Sequence, residues 1–127
     1  MPFGYSTPNA QARLDELMQD DRAILVDIRM SVEARRKPDW SGAVLQQRYG
    51  KRYLWLQSLG NINYFNHGPI QIHQPAMGIP RLMKGIERGY KLILLCTCPQ
   101  YSQCHRKVVV KMLCSQMPGV RVMEPAP

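Results

Sequence analysis

The chain has 127 residues, 45% of them hydrophobic and 20% charged, with a formal net charge of +8. That length suits one domain with its own core; no apolar run approaches a membrane span, and residues 1–5 have neither the basic start nor the apolar centre of a signal peptide, so a cytoplasmic protein without membrane partners is expected. The charge is uneven, with six Lys/Arg against seven Asp/Glu in residues 1–39 and eleven against two in residues 40–127, which suits an anionic small molecule or nucleic acid as partner and equally suits a solvated basic surface.

Residues 3–7 read as a short first strand ending in a turn. Thr7 or Asn9 is placed to cap the next helix, and Pro8 suits its first turn. Residues 10–19 then set Leu14, Leu17 and Met18 on one helical face, and Asp20-Asp21 ends the helix. Residues 23–28 are almost continuously apolar, as expected of a parallel strand covered on both faces, with Asp27 and Arg29 at its C-terminal end. In open parallel sheets that end is where ligands bind. Ser41 caps a short helix through Arg48 that Gly50 closes, and residues 52–56 alternate as a third strand. Residues 58–80, rich in glycine and proline, read as a long loop covering a site. Helical spacing is assigned to residues 79–88, with Gly89 as the stop. An apolar run at residues 92–96 forms the central strand, a helix starts near Gln103, and residues 120–123 form a last short strand. Strands separated by helices predict an α/β single-domain three-layer sandwich with a mainly parallel sheet.

The chemistry concentrates after the central strand. Cys104-His105-Arg106 falls at a helix start, where free amides and the helix dipole favour an anion. A thiol there is favoured as thiolate, His105 can move a proton near neutral pH, and Arg106 offers a fork to phosphate or carboxylate. The structural alternative packs Cys104 as a small apolar residue, with His105 and Arg106 in local contacts. All four cysteines (Cys96, Cys98, Cys104 and Cys114) fall in the last third, a distribution of reduced thiols and not of a secreted disulfide framework. The Cys96, Cys98, Cys104, His105 spacing departs from paired zinc knuckles, so neither a metal nor a cofactor is expected. A phosphatase-type loop needs Arg six residues after its cysteine; Ser102 and Cys104 hold those places after Cys96 and Cys98. Asp27 is placed to act as a base, orient a ribose or pair with Arg106. Tyr5 and Ser6 reach the same edge from the first strand. His67 and His73 read as ordinary loop histidines, and the basic, aromatic run at residues 48–53 with Trp40 and Trp55 is compatible with stacking on bases or with a strand's core and rim.

Taken in order, Gly4-Tyr5-Ser6, Asp27-Ile28-Arg29, Leu59-Gly60, Leu94-Leu95-Cys96 and Cys104-His105-Arg106 resemble the bacterial and archaeal domain-of-unknown-function family 488. The likeness spans nearly the whole chain. It implies a single α/β domain over residues 1–127, with Asp27, Arg29, Cys96, Cys104, His105 and Arg106 gathered at one edge, and it brings no established reaction. Two departures stand out: Cys98 occupies a place usually acidic in the family, and Met30-Ser31 stands where a proline usually follows the Asp-x-Arg element. The first leaves acid/base work to Asp27 or His105.

The sequence thus predicts a protein that binds a phosphate-bearing ligand, a nucleotide or nucleic-acid end, at the C-terminal edge of the sheet. Arg29 and Arg106 are expected to hold the anion, with Tyr5, Ser6 and Cys96 lining the site, and Cys104, His105 and Asp27 are the candidate catalytic residues. One alternative is a thiol enzyme of rhodanese-like character moving sulfur or electrons through Cys96, Cys98 or Cys104. The other is a non-catalytic nucleic-acid-binding module.

Overall fold

The computed structural model describes residues 2–4, 9–34, 36–64, 68–96 and 104–122. Its elements are β1 (Pro2–Gly4), α1 (Ala10–Leu17), β2 (Ala23–Asp27), α2 (Gly42–Tyr49), β3 (Tyr53–Trp55), α3 (Pro75–Glu87), β4 (Lys91–Cys96) and α4 (His105–Gln116), with 3-10 turns at Pro38–Trp40, Gly50–Arg52 and Gln57–Leu59. Among the described residues the four strands form one sheet in the order β1-β4-β2-β3, and every neighbouring pair is parallel. The chain is an α/β fold, as expected. The two longest apolar runs occupy the two central positions, where both faces are covered.

Side chains alternate along a strand, and here they divide between two cores. Ala23, Leu25, Ile93, Leu95 and Tyr53 join Leu14 and Met18 of the α1 segment and Leu45 of α2. Val26, Ile28, Leu94 and Cys96 join Ile79 and Leu82 of α3 and Val109, Val110 and Leu113 of α4. Helices therefore cover both faces of the sheet, giving three layers. Leu25 and Leu95, each 0% exposed, contribute about 1.5–3 kcal/mol apiece by burial.

Several local expectations hold. Ser41 caps α2, its Oγ accepting from the Val44 amide at 3.4 Å. Gly50 closes that helix at φ 59° and Gly89 follows α3 at φ 85°, backbone that favours glycine. Asn9 does occupy the N-cap of α1, but at φ 60° its side chain makes no capping hydrogen bond, which corrects the expected cap. Thr7 lies outside the described residues.

Two larger corrections follow from packing. The helix read from Ile79 starts a turn earlier, at Pro75, where a missing amide costs nothing. Gly78 and Pro80, read as loop punctuation, lie inside it. A β-carbon at Gly78 would sit 2.4 Å from Leu59 Cγ, so glycine is what lets α3 close onto the Gln57–Leu59 turn. The preceding segment is stitched rather than structureless: Ile62 N donates to Gln71 O, His73 N to Gly60 O and Gln74 N to Ser58 O, and Ile72 enters the α3/α4 core. At the other end, residues 120–122 form no strand; Val120 N closes a turn onto Met117 O, and Val122 packs against the same core. Among the described residues no helix is long and apolar enough to cross a membrane.

Candidate functional site

Parallel pairing sets the C-terminal ends of β2 and β4 side by side, with Asp27 opposite Leu95. The Ile28 amide then bonds Leu95 O, extending the pairing one residue further. Two polar groups grow from this edge, one toward each face.

The first centres on Asp27, which is 0% exposed and shares its face of the sheet with Leu25. Its Oδ1 accepts from Arg29 Nε at 2.7 Å and from the Arg29 amide at 3.2 Å. Its Oδ2 accepts from Arg29 Nη2 at 2.5 Å and Tyr53 Oη at 2.7 Å. Residues i and i+2 of an extended chain point the same way, so Asp27 meets Arg29 rather than the Arg106 considered from sequence. Burial, then the Asp27 charge and the hydrogen bond to it, push the Tyr53 phenol well above its ordinary value, keeping it a neutral donor. Trp55 Nε1 donates to Arg29 O at 2.8 Å and fixes the turn leaving β2. The geometry thus spends the Asp27 carboxylate on Arg29 and Tyr53.

The second group lies on the α3/α4 side. Cys96 ends β4 and shares the face of Leu94, while Cys104 is the N-cap of α4 at φ −107° and ψ 149°. Cys104 Sγ accepts from the Arg106 amide at 3.4 Å and from Arg106 Nε at 3.3 Å. A cysteine therefore does at this helix start what Ser or Asp usually does, and both donors favour the ionised sulfur. Cys96 Sγ stands 2.7 Å from Cys104 Sγ. His105 Nε2 is 2.7 Å from Ile28 O, and its Nδ1 is 3.8 Å from Cys104 Sγ. A carbonyl only accepts, so Nε2 carries a proton, and in the neutral ring Nδ1 presents its lone pair to the sulfur side. Cys96, Cys104 and His105 bring three metal-ligand atoms within 4.8 Å of one another.

Ile28 joins the two groups: Asp27 and Arg29 flank it, its side chain enters the α3/α4 core, and its carbonyl receives His105. Tyr5, Ser6, Cys98 and His67 lie outside the described residues. The basic, aromatic run, compatible from sequence with stacking on bases or with a strand's core and rim, is tied into the fold. Arg48 and Tyr49 both hold Asp15, Arg52 Nη1 caps the carbonyls of Met18 and Asp20 at 2.9 Å each, and Trp40 is buried against Phe3. Burial first, and then its bond to Asp15, also raise the Tyr49 phenol above its ordinary value.

Sequence reasoning missed Tyr53 and the Ile28 carbonyl as parts of the site. Leu25 pairs with Tyr53 in the parallel register, so that pairing was the one signal that could have placed Tyr53 on the Asp27 face. Compared with known proteins, the chain matches no family model, no curated protein and no solved structure.

Proposed function

We propose that the protein is a thiol-dependent enzyme exchanging its Cys96/Cys104 dithiol with a small anionic disulfide. The observation that carries this is the 2.7 Å separation of the two sulfurs. A disulfide of about 2.05 Å needs only about 0.7 Å more closure.

Cys104 is the nucleophile. Its proton passes to His105 Nδ1, which Ile28 O holds in the accepting tautomer, and the sulfur attacks one sulfur of the substrate. The substrate S–S bond breaks, a Cys104 mixed disulfide forms, and the departing thiolate takes the proton from His105. Cys96 then attacks Cys104 Sγ, its proton going to the second departing thiolate. The balance is one protein dithiol and one substrate disulfide converted to one protein disulfide and two small thiols. With Cys96 0% and Cys104 1% exposed, a slim substrate suits the site better than a protein disulfide. The net charge of +8 favours an anionic one.

Oxidised glutathione, a small anionic disulfide, is a suitable probe. The reduced protein should lose two thiols and yield a 96–104 cross-linked peptide, while Cys96→Ala should stall as a glutathione adduct on Cys104. Adducts at Cys114 alone, or a Cys104→Ala variant cycling like the wild type, defeat the proposal. A cytoplasmic, reducing location and the family-488 resemblance belong to the same proposal.

A second reading, capture of a phosphate-bearing ligand such as a nucleotide or nucleic-acid end, is favoured by Arg106 at the start of α4 and by the basic balance of residues 40–127. Arg29 supports it less, because Asp27 takes its Nε and Nη2. Phosphate or ATP should then raise the thermal midpoint of the wild type and not of Arg106→Ala; an equal rise in both counts against it.

A further inference from the structure

We infer that Cys96 Sγ, Cys104 Sγ and His105 Nδ1 form a site for a thiophilic divalent cation of the zinc class, held by the reduced dithiol and expelled when the disulfide closes. The site rests on geometry; its expulsion rests on the exchange reaction proposed above.

The donor set is that of a zinc centre with three protein ligands and a fourth position left over. Its ligands come from a strand end and an adjoining helix start, which is why the spacing of a zinc knuckle does not reveal it. The three ligand atoms lie within 4.8 Å of one another. Tetrahedral zinc, with Zn–S about 2.3 Å and Zn–N about 2.0 Å, places sulfur about 3.8 Å from sulfur and about 3.5 Å from nitrogen. His105 Nδ1 already stands 3.8 Å from Cys104 Sγ. The sulfurs, at 2.7 Å, must part by about 1 Å to take the ion. They therefore lie between the separation a disulfide needs and the one a metal needs, and small opposite displacements select one or the other.

The surroundings fit a bound cation. Ligating histidines usually donate their other ring nitrogen to a carbonyl or carboxylate, and His105 Nε2 meets Ile28 O at 2.7 Å. Arg106 gives two N–H groups to Cys104 sulfur, the outer contacts that steady a metal-bound thiolate. Charge balances as well: a divalent ion neutralises two thiolates in a place where all three ligands are buried. Binding releases the two thiol protons, so affinity falls as pH falls. Oxidation removes both thiolates at once and leaves one imidazole, which cannot retain the ion.

The test uses Co2+ as a spectroscopic substitute on the full reduced chain. One equivalent should give thiolate-to-cobalt charge transfer and the visible bands of a tetrahedral ion. Zn2+ should displace it and should protect two thiols from a thiol reagent, with EDTA reversing the protection. These readings need no variant. His105→Gln and Cys96→Ala should each weaken cobalt binding by about 10-fold or more, while Cys114→Ala leaves it unchanged. Oxidised glutathione should discharge the cobalt in step with 96–104 cross-linking. Absence of charge transfer in the wild type, or a Cys114→Ala variant that loses it, overturns the site. Cobalt that binds as described but stays bound through cross-linking overturns the switch. Cobalt binding without any cross-linking defeats the exchange reaction and leaves the site standing.

Discussion

Replacing Asp27 by Asn tests how the sheet edge is held. The substitution keeps the size of the side chain and removes its charge. Asp27 accepts four hydrogen bonds, three from Arg29 and one from Tyr53. Whichever way the new amide turns, its NH2 faces an Arg29 N–H that cannot accept. Arg29 is only 4% exposed, so its charge loses a buried counter-ion. Breaking such a pair from one side costs about 3–5 kcal/mol, and because Asp27 is not the sole partner of Arg29 the lower end applies. At an m-value of about 2 kcal/mol/M, a loss of about 3 kcal/mol moves the urea midpoint down by about 1.5 M. Equilibrium unfolding under reducing conditions, followed by circular dichroism, measures it. Tyr53→Phe, which deletes one bond to a charged acceptor, should cost about 1.5–3 kcal/mol. Replacing both charges, as Asp27→Leu with Arg29→Met, should cost less than Asp27→Asn alone, since no buried charge is orphaned. A loss below about 1 kcal/mol for Asp27→Asn, or a double variant as unstable as the sum of its singles, refutes the reasoning.

Alkaline stability should depend on Tyr53 and Tyr49, whose phenols are raised above their ordinary value of 10.0. A group raised in the folded state stabilises fully below its unfolded value, so stability should decline as pH climbs above about 10, and Tyr49→Phe with Tyr53→Phe should flatten that decline in urea titrations across pH 9–11. Gly50→Ala should cost about 1–3 kcal/mol from backbone strain alone, because φ is +59° and a β-carbon there meets nothing within 4 Å; no loss in unfolding free energy would contradict that. Pro80, exposed and sixth in α3, denies the Ala76 carbonyl its helical donor, so Pro80→Ala should stabilise by up to about 3 kcal/mol less about 1 kcal/mol of unfolded-state entropy, read as a higher midpoint. Replacing Arg106 by Leu removes the Nε donor from Cys104 and should slow alkylation of Cys104 at neutral pH, while Cys114 reacts at its wild-type rate.

The parts of the fold legible in sequence were those whose cause is local. β2 and β4 announce themselves because a strand covered on both faces has no polar side to alternate with. Ser41 and Gly50 bound α2 through capping and positive φ, both written into residue type. The start of α3 was not legible. Its first turn is decided by how closely Gly78 approaches Leu59, a tertiary contact that no window of sequence contains. Residues 120–122 failed in the opposite way: their alternation suits a strand, but pairing also needs an open edge within reach. At the site, the Cys104-His105-Arg106 helix start was readable from its apolar spacing. The meeting of Cys96 with Cys104 was not, because it depends on which face β4 turns to α4 at its last residue.

That dependence on strand parity is what separates the two polar groups at this edge. Asp27 is an odd step along β2 from Val26, and its carboxylate goes to the α1/α2 side. Cys96 is an odd step along β4 from Leu95, and its sulfur goes to the α3/α4 side. A one-residue slip of either strand would reverse these placements. It would set a carboxylate among Val109 and Val110 or a thiol beside Leu14 and Met18. As built, the anionic side chain is neutralised by Arg29 on one face, and the sulfurs meet their donors from α4 on the other. His105 Nε2 reaches across to the backbone carbonyl of Ile28, so the orientation of its ring is set by β2 itself, which β4 and β3 flank. The imidazole is therefore fixed by a central strand of the sheet, and disturbing the Asp27 network should reach Cys104 only through displacement of Ile28. Asp27→Asn should accordingly leave the rate of Cys104 alkylation near wild type at low denaturant, and a large change there would mean that the two faces are coupled by something other than this shared residue.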